Sequence, residues 1–125
     1  MESIKTGNFN DDIIGTPERR GWVMGHFIET QSLLHSTDVE IKWGVHKKGE
    51  KTSTPRANIQ AKSLAILLHG KVSICFTESA ETVILEKEGD FVLYDFGVFH
   101  NYEFLEDTTV ITIRWPSIQN DAITK

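Results

Sequence analysis

Five side chains in this sequence can exchange protons near neutral pH: His26, His35, His46, His69 and His100. No two of them stand two residues apart, so no strand carries a His-x-His pair able to grip a metal ion from one face. Cys75 is the single cysteine, which excludes an intrachain disulfide. Nothing near it in sequence lowers its pKa, and it reads as a small buried hydrophobe. No Gly-x-Ser-x-Gly elbow marks a serine hydrolase. The most informative stretch is Gly89-Asp-Phe-Val-Leu-Tyr-Asp95-Phe96-Gly97-Val98-Phe99-His100. Gly89 turns the chain into a strand, and Gly97 permits a tight turn that needs a positive φ. His100 then opens the next strand with its side chain aimed at one face, and a period of two sends Tyr102 and Phe104 the same way. His100 is therefore the first candidate for acid–base chemistry or ligand contact, Tyr102 a second proton-transfer candidate, and Phe104 an aromatic wall. His46, on the polar side of its strand, reads as a second pocket histidine or a surface one. Arg114 shares a face with Thr112 and carries the charge to anchor a carboxylate, or to form a surface ion pair.

Strands must position these groups. The turn residues Gly70, Ser79, Gly89, Gly97 and Asp107 follow one another at intervals of 9, 10, 8 and 10. Runs of Val, Ile, Phe, Tyr and Thr fill the gaps, the rhythm of an all-β sandwich or barrel. The reading places strands at Trp22–Glu29, Asp38–His46, Ser63–His69, Lys71–Thr77, Glu81–Lys87, Phe91–Tyr94, Phe99–Phe104 and Thr108–Trp115, with no long helical period. In Asp38–His46, Val39, Ile41, Trp43 and Val45 share one face, and Glu40, Lys42, Gly44 and His46 the other. In the last strand Ile111, Ile113 and Trp115 oppose Thr112 and Arg114, and in Lys71–Thr77 Val72, Ile74 and Phe76 oppose Ser73 and Cys75. One apolar and one polar face is the signature of antiparallel sheet, so the apolar sets are the expected core. Leu64–Leu68 is apolar on both faces and reads as a central strand. Residues 1–20 read as an arm, 21–118 as one domain, and 119–125 as a polar tail expected to fray.

Composition bounds the partners. The 125 residues suit one domain, and 13 Lys and Arg against 18 Asp and Glu give a net charge of −5. That balance argues against nucleic-acid and anionic-membrane partners. Leu64–Leu68 is far too short to cross a bilayer, and the polar N-terminal residues lack a signal peptide's apolar stretch, so the expected location is the cytoplasm. Lys47, Lys48 and Lys51 around Gly49 read as a solvated hairpin turn.

The spacing Gly89, five residues, Asp95, one residue, Gly97, two residues, His100 resembles the second conserved motif of the cupin family, Gly-x5-Pro-x-Gly-x2-His-x3-Asn. Asp95 stands at the proline and Phe104 at the asparagine. The family's first motif, Gly-x5-His-x-His-x3,4-Glu-x6-Gly, would close at Gly70. Counting back puts Ser63 at the glutamate. With four intervening residues Arg56 and Asn58 take the histidine positions, and with three Ala57 and Ile59 do. The resemblance spans roughly residues 38–115. It implies a jelly-roll β-barrel with an interior pocket, in which Asn58 and Ser63 offer hydrogen bonds. It also implies a homodimer formed through an N-terminal strand, here the apolar run Trp22–Ile28. Of the family's metal ligands only His100 is carried over. Asn58 is a poor ligand and Arg56 repels a cation, so no metal and no other cofactor is expected. The function classes left open are a non-enzymatic module binding a small organic molecule inside the barrel, and a metal-free isomerase or epimerase using His100 and Tyr102. A metal-dependent oxygenase or isomerase with substitute ligands such as His46 or His69 is disfavoured.

Overall fold

Turn chemistry orders the strands. The computed structural model describes residues 3–125. A short helix α1 (Phe9–Gly15) and a 3-10 turn (Pro17–Arg19) precede ten strands. These are β1 (Trp22–Met24), β2 (Glu40–His46), β3 (Arg56–Asn58), β4 (Lys62–His69), β5 (Val72–Phe76), β6 (Glu81–Leu85), β7 (Phe91–Tyr94), β8 (His100–Phe104), β9 (Thr108–Trp115) and β10 (Ala122–Thr124). They form two antiparallel five-stranded sheets, ordered β1-β2-β9-β4-β7 and β10-β3-β8-β5-β6. The sheets face each other as a jelly roll, each keeping its own ladder. Among the described residues no helix is long and apolar enough to cross a membrane.

β7 and β9 begin and end where the turn spacing puts them, β4 and β8 differ by one residue at one end, and β5 is one residue shorter at each end. The first strand is shorter than expected. It stops at Met24, and the chain folds into successive turns through His35, closed by bonds such as Ile28 N–H to the Gly25 carbonyl and His35 N–H to the Ser32 carbonyl. The tail does not fray. β10 pairs with β3 through Ala122–Asn58, Ile123–Ala57 and Thr124–Arg56. Asp121 fixes it there: its carboxylate accepts from Gln60 N–H at 2.8 Å, Ala61 N–H at 3.0 Å and Asn58 Nδ2 at 3.2 Å. Each of these two strands is three residues long, too short to display alternation in sequence. The arm also holds more structure than a loop. Asn8 caps α1, Phe9 packs on Trp43 with ring centroids 6.0 Å apart, and Trp43 Nε1 donates to Asn10 Oδ1 at 2.9 Å.

The larger departure is which face lies inside. In the first sheet three cross-strand rows face inward: Glu40–Arg114–Ser63–Tyr94, Lys42–Thr112–Ala65–Val92 and Gly44–Val110–Leu67. The rows Ile41–Ile113–Leu64–Leu93 and Trp43–Ile111–Ile66–Phe91 face outward. Phe91 and Leu93 on β7 are 63% and 55% exposed. For β2 and β9 this reverses the expected core face, because their polar residues turn into a cavity rather than to bulk water. On β5 the expectation holds. Val72, Ile74 and Phe76 are buried with Leu67, Leu85, Phe104 and Val110 in one apolar cluster.

Gly70 joins β4 to β5 with φ +102. A Cβ there would sit 2.5 Å from Thr108 Oγ1, with the Asp107 carbonyl oxygen closer still. Gly97 also has a positive φ, +74, but open space around it. Gly70→Ala is therefore expected to cost at least about 3 kcal/mol, backbone strain plus a clash that only backbone movement relieves, and Gly97→Ala only the strain of about 1–2 kcal/mol. Urea unfolding of both variants checks the difference. Asp121→Ala leaves the backbone N–H groups of Gln60 and Ala61 without their carboxylate, and should cost about 2–4 kcal/mol in the same assay. A loss under about 0.5 kcal/mol would mean that β10 adds little to the fold.

Candidate functional site

Gly97 shapes the turn between β7 and β8, and its N–H donates to the Asn58 carbonyl at 2.7 Å. Three residues on, His100 enters the interior and is 6% exposed. Its Nδ1 lies 3.1 Å from the Val98 carbonyl oxygen, which can only accept, so Nδ1 carries the proton. Nε2 is then the acceptor for the Tyr94 hydroxyl at 3.1 Å. Burial pushes the His100 pKa down; the Val98 bond opposes this and Arg114 adds to it. Burial pushes the Tyr94 phenol up. The pair thus rests as a neutral phenol donating to a neutral imidazole.

His46 stacks on Phe104, centroids 3.9 Å apart and planes 10° from parallel, while its Nδ1 donates to Glu50 Oε2 at 2.8 Å. Burial holds this imidazole below its ordinary value in spite of Glu50. Tyr102 packs edge-on against Phe104 at 5.3 Å.

Two cations share the inward face of the first sheet. Arg114 lies over the Trp22 ring, 4.6 Å from its centroid, and its Nη1 is 3.7 Å from Glu40 Oε2. Its Nε is buried with no hydrogen-bond partner among the described residues. Glu40 is held by a separate chain of contacts: Ser117 Oγ donates to Glu40 Oε1 at 2.9 Å and contacts His26 Nδ1 at 2.7 Å. The Lys42 ammonium makes no hydrogen bond or ion pair among the described residues. Burial lowers its pKa to about 8, with Arg114, Arg20 and Arg56 adding to the fall and Glu50 opposing it.

These groups surround one space between the sheets. A deep chamber of about 60 Å³ opens into a mouth of about 550 Å³. Lys42, His46, His100, Tyr102, Phe104 and Arg114 line both. Tyr94 and Thr112 line the deep chamber, and Arg20, Lys51, Arg56 and Asn58 the mouth. Ser63 is 1% exposed and sits in register between Arg114 and Tyr94, behind the chamber wall. Asn58 spends its amide on Asp121, so only part of it faces the mouth. Sequence reading did not single out Lys42 or Tyr94. Lys42 was legible from His46, since positions four apart on a strand share a face. The hydrogen-bond partner of His100 is Tyr94, not Tyr102. Tyr102 lies two positions along the same strand, whereas Tyr94 reaches over from the facing sheet.

The donor set does not suit the metal that cupins commonly hold. Among the described residues no three His, Cys, Asp or Glu side chains converge. Arg56, Ala57 and Asn58 line the mouth and include no metal ligand of the usual kind, Nε2 of His100 faces Tyr94, and Lys42 and Arg114 bring positive charge to the same chamber. His69 is exposed at the end of β4 and lines neither chamber nor mouth.

No family model matches the sequence, and no curated protein does. Solved structures do. KdgF from Halomonas sp. superposes with a TM-score of 0.60 at 18% identity, over 69% of this chain and 77% of that one. A cupin superfamily protein from Desulfitobacterium hafniense gives 0.56 at 20% identity, over 64% and 69%. A Streptomyces PAC13 variant with uridine gives 0.61 at 10% identity, over 72% and 70%. Likeness at such low identity concerns the fold, and it agrees with the motif spacing of Gly89–His100: the chain has the cupin, or double-stranded β-helix, fold.

Lys42 titrates near 8 in the folded chain, against an ordinary value of 10.5. Between those values the unfolded chain binds more protons, so the stability linked to this group rises as pH climbs from about 8 to 10.5 and its full cost is felt below 8. Lys42→Met is expected to raise the thermal midpoint at pH 7, with the gain shrinking toward pH 10. Melts followed by circular dichroism at the two pH values check both the sign and the trend.

Proposed function

We propose that this protein holds a small organic molecule in the chamber between its sheets, without a metal. The observation that carries this reading is the cavity itself: a mouth of about 550 Å³ narrowing onto two imidazoles, two phenols and an apolar wall. Sites for small molecules have this size and this mix of apolar lining with a few directed polar groups. The neighbours add support, since one holds uridine and another, from Silicibacter pomeroyi, is described as a sugar phosphate isomerase, with a TM-score of 0.53 at 12% identity.

A second reading, metal-free acid–base catalysis, is favoured by the Tyr94–His100 bond of 3.1 Å. A substrate proton delivered to the Tyr94 oxygen would send the phenolic proton to Nε2. His100 would become an imidazolium still anchored by Nδ1–H on the Val98 carbonyl. Such a relay makes His100 the base and Tyr94 the contact with substrate.

Native mass spectrometry of the protein as purified from cells tests the binding reading. The expected result is a small-molecule adduct whose affinity falls about 3–10-fold in His100→Ala, the worth of one hydrogen bond, while the thermal midpoint stays within a few degrees. An unchanged affinity, or a variant that unfolds, counts against a ligand role for His100. Tyr94→Phe separates the two readings. It should leave binding near normal, and if the protein is an enzyme it should abolish turnover of the identified molecule.

A further inference from the structure

We infer that the molecule held in this chamber is an anion, with its carboxylate or phosphate group seated on Lys42 and Arg114. This rests on the reading that the chamber binds a small molecule, and it names the class. The charge inventory points one way. The whole chain carries −5, yet the chamber and its mouth gather Arg20, Lys42, Lys51, Arg56 and Arg114 against the single carboxylate of Glu50. Glu50 is already committed to His46 at 2.8 Å. Glu40 meets Arg114 at 3.7 Å, which leaves the Lys42 ammonium as the inward cation with no ion pair among the described residues.

The geometry narrows the seat to two residues. Lys42 on β2 pairs with Thr112 on β9, and Arg114 lies two positions further along β9 on the same inward face. Diagonal neighbours of this kind have backbones about 7–8 Å apart, so two long side chains can close on one anion. Each has binding capacity to spare. The Lys42 ammonium has no hydrogen bond or ion pair among the described residues. Arg114 touches Glu40 through one terminal nitrogen at 3.7 Å and leaves its buried Nε without a partner. A guanidinium offering Nε and a terminal nitrogen is the fork that grips two oxygens of one carboxylate or phosphate. Thr112, directly across from Lys42, lines the same chamber.

Two like charges on one buried face repel and lose hydration, and a bound anion relieves both costs at once. Burial and the neighbouring Arg114 lower the Lys42 pKa to about 8, the cost that a bound anion would offset.

The test is a 1H–15N NMR titration of the full chain with matched probes: benzoate against benzamide, phenyl phosphate against phenol, and inorganic phosphate. Benzoate or phenyl phosphate is expected to shift amides of β2 and β9, with the neutral partner about tenfold weaker or more. The stronger of the two anions identifies the group as carboxylate or phosphate, and inorganic phosphate alone reports whether that group suffices. Lys42→Met should lower anion affinity about tenfold without lowering the thermal midpoint, and Lys42→Arg should restore it. Because Arg114→Gln leaves Glu40 short of a partner and is open to misfolding, the decision rests on Lys42. If benzamide and phenol bind as tightly as their anions, the anion seat is overturned while small-molecule binding stands. If anion binding survives Lys42→Met unchanged, the seat lies elsewhere and the inference fails. If no probe shifts the chamber amides, the binding reading falls and the anion seat falls with it.

Discussion

Side chains on a strand alternate, and in the register of β2, β9, β4 and β7 that constraint governs everything else. Once Arg114 turns into the interior, Thr112 and Val110 must follow it, and Ile111 and Ile113 must go out. The ladder passes the same choice to its neighbours, so Glu40 and Lys42 come in on β2, Ser63 and Ala65 on β4, and Val92 and Tyr94 on β7. A slip of one residue would fill the cavity with Ile41, Ile113, Leu64 and Leu93 and leave the cations in water. The register thus decides between a packed sandwich and a lined chamber.

A polar interior needs support, because each ion taken from water costs several kcal/mol unless it is met by partners. The structure provides it unevenly. Glu40 is well held, by Ser117, Arg114 and the nearby His26. That cluster also ties the end of β9 to the segment following β1, so one carboxylate serves both the fold and the wall of the site. Lys42 has no such support. The stability that carries this cost comes from the apolar cluster of Leu67, Val72, Ile74, Phe76, Leu85, Phe104 and Val110, where both sheets contribute and Leu67 is fully buried. Phe76 and Phe104 belong to both regions: Phe104 lines the chamber, and Phe76 sits 5.4 Å from the Tyr94 ring.

This division explains what the sequence could reveal. Turn residues and branched apolar runs locate β7, β9 and the bounds of β4, β5 and β8, because those signals are local. Alternation likewise sorted β2 and β9 into two sets of residues that do share faces. It could not say which set points in, since a period of two carries no sign. The rule that apolar faces turn inward holds for a filled core and gives the right answer on β5, but it fails on β2 and β9, where a polar cavity takes the core's place. Reading His46 as a pocket residue already contained the correction, for it obliges Lys42 and Glu40 to face the same way. β3 and β10 were invisible for another reason. Their three residues pair through contacts about 60 positions apart in the chain, and Asp121 gives no local sign of the backbone groups it will meet.

The chemistry of the site follows from what the strand positions now carry. In a metal-holding cupin, positive charge and a set of imidazoles converge on one point, and the ion organises the ligand. Here His100 alone keeps its place, and its free nitrogen has turned to Tyr94. The permanently or readily charged side chains that face the same chamber are Lys42 and Arg114. They differ from a metal ion in two ways that matter for function. They donate directed hydrogen bonds, which favours oxygen anions with several lone pairs over neutral groups. And Lys42, titrating at about 8, can also give up its proton, which a bound ion cannot do. The chamber therefore combines within one lined space a fixed cation, a lysine whose pKa burial lowers to about 8, and a phenol–imidazole pair.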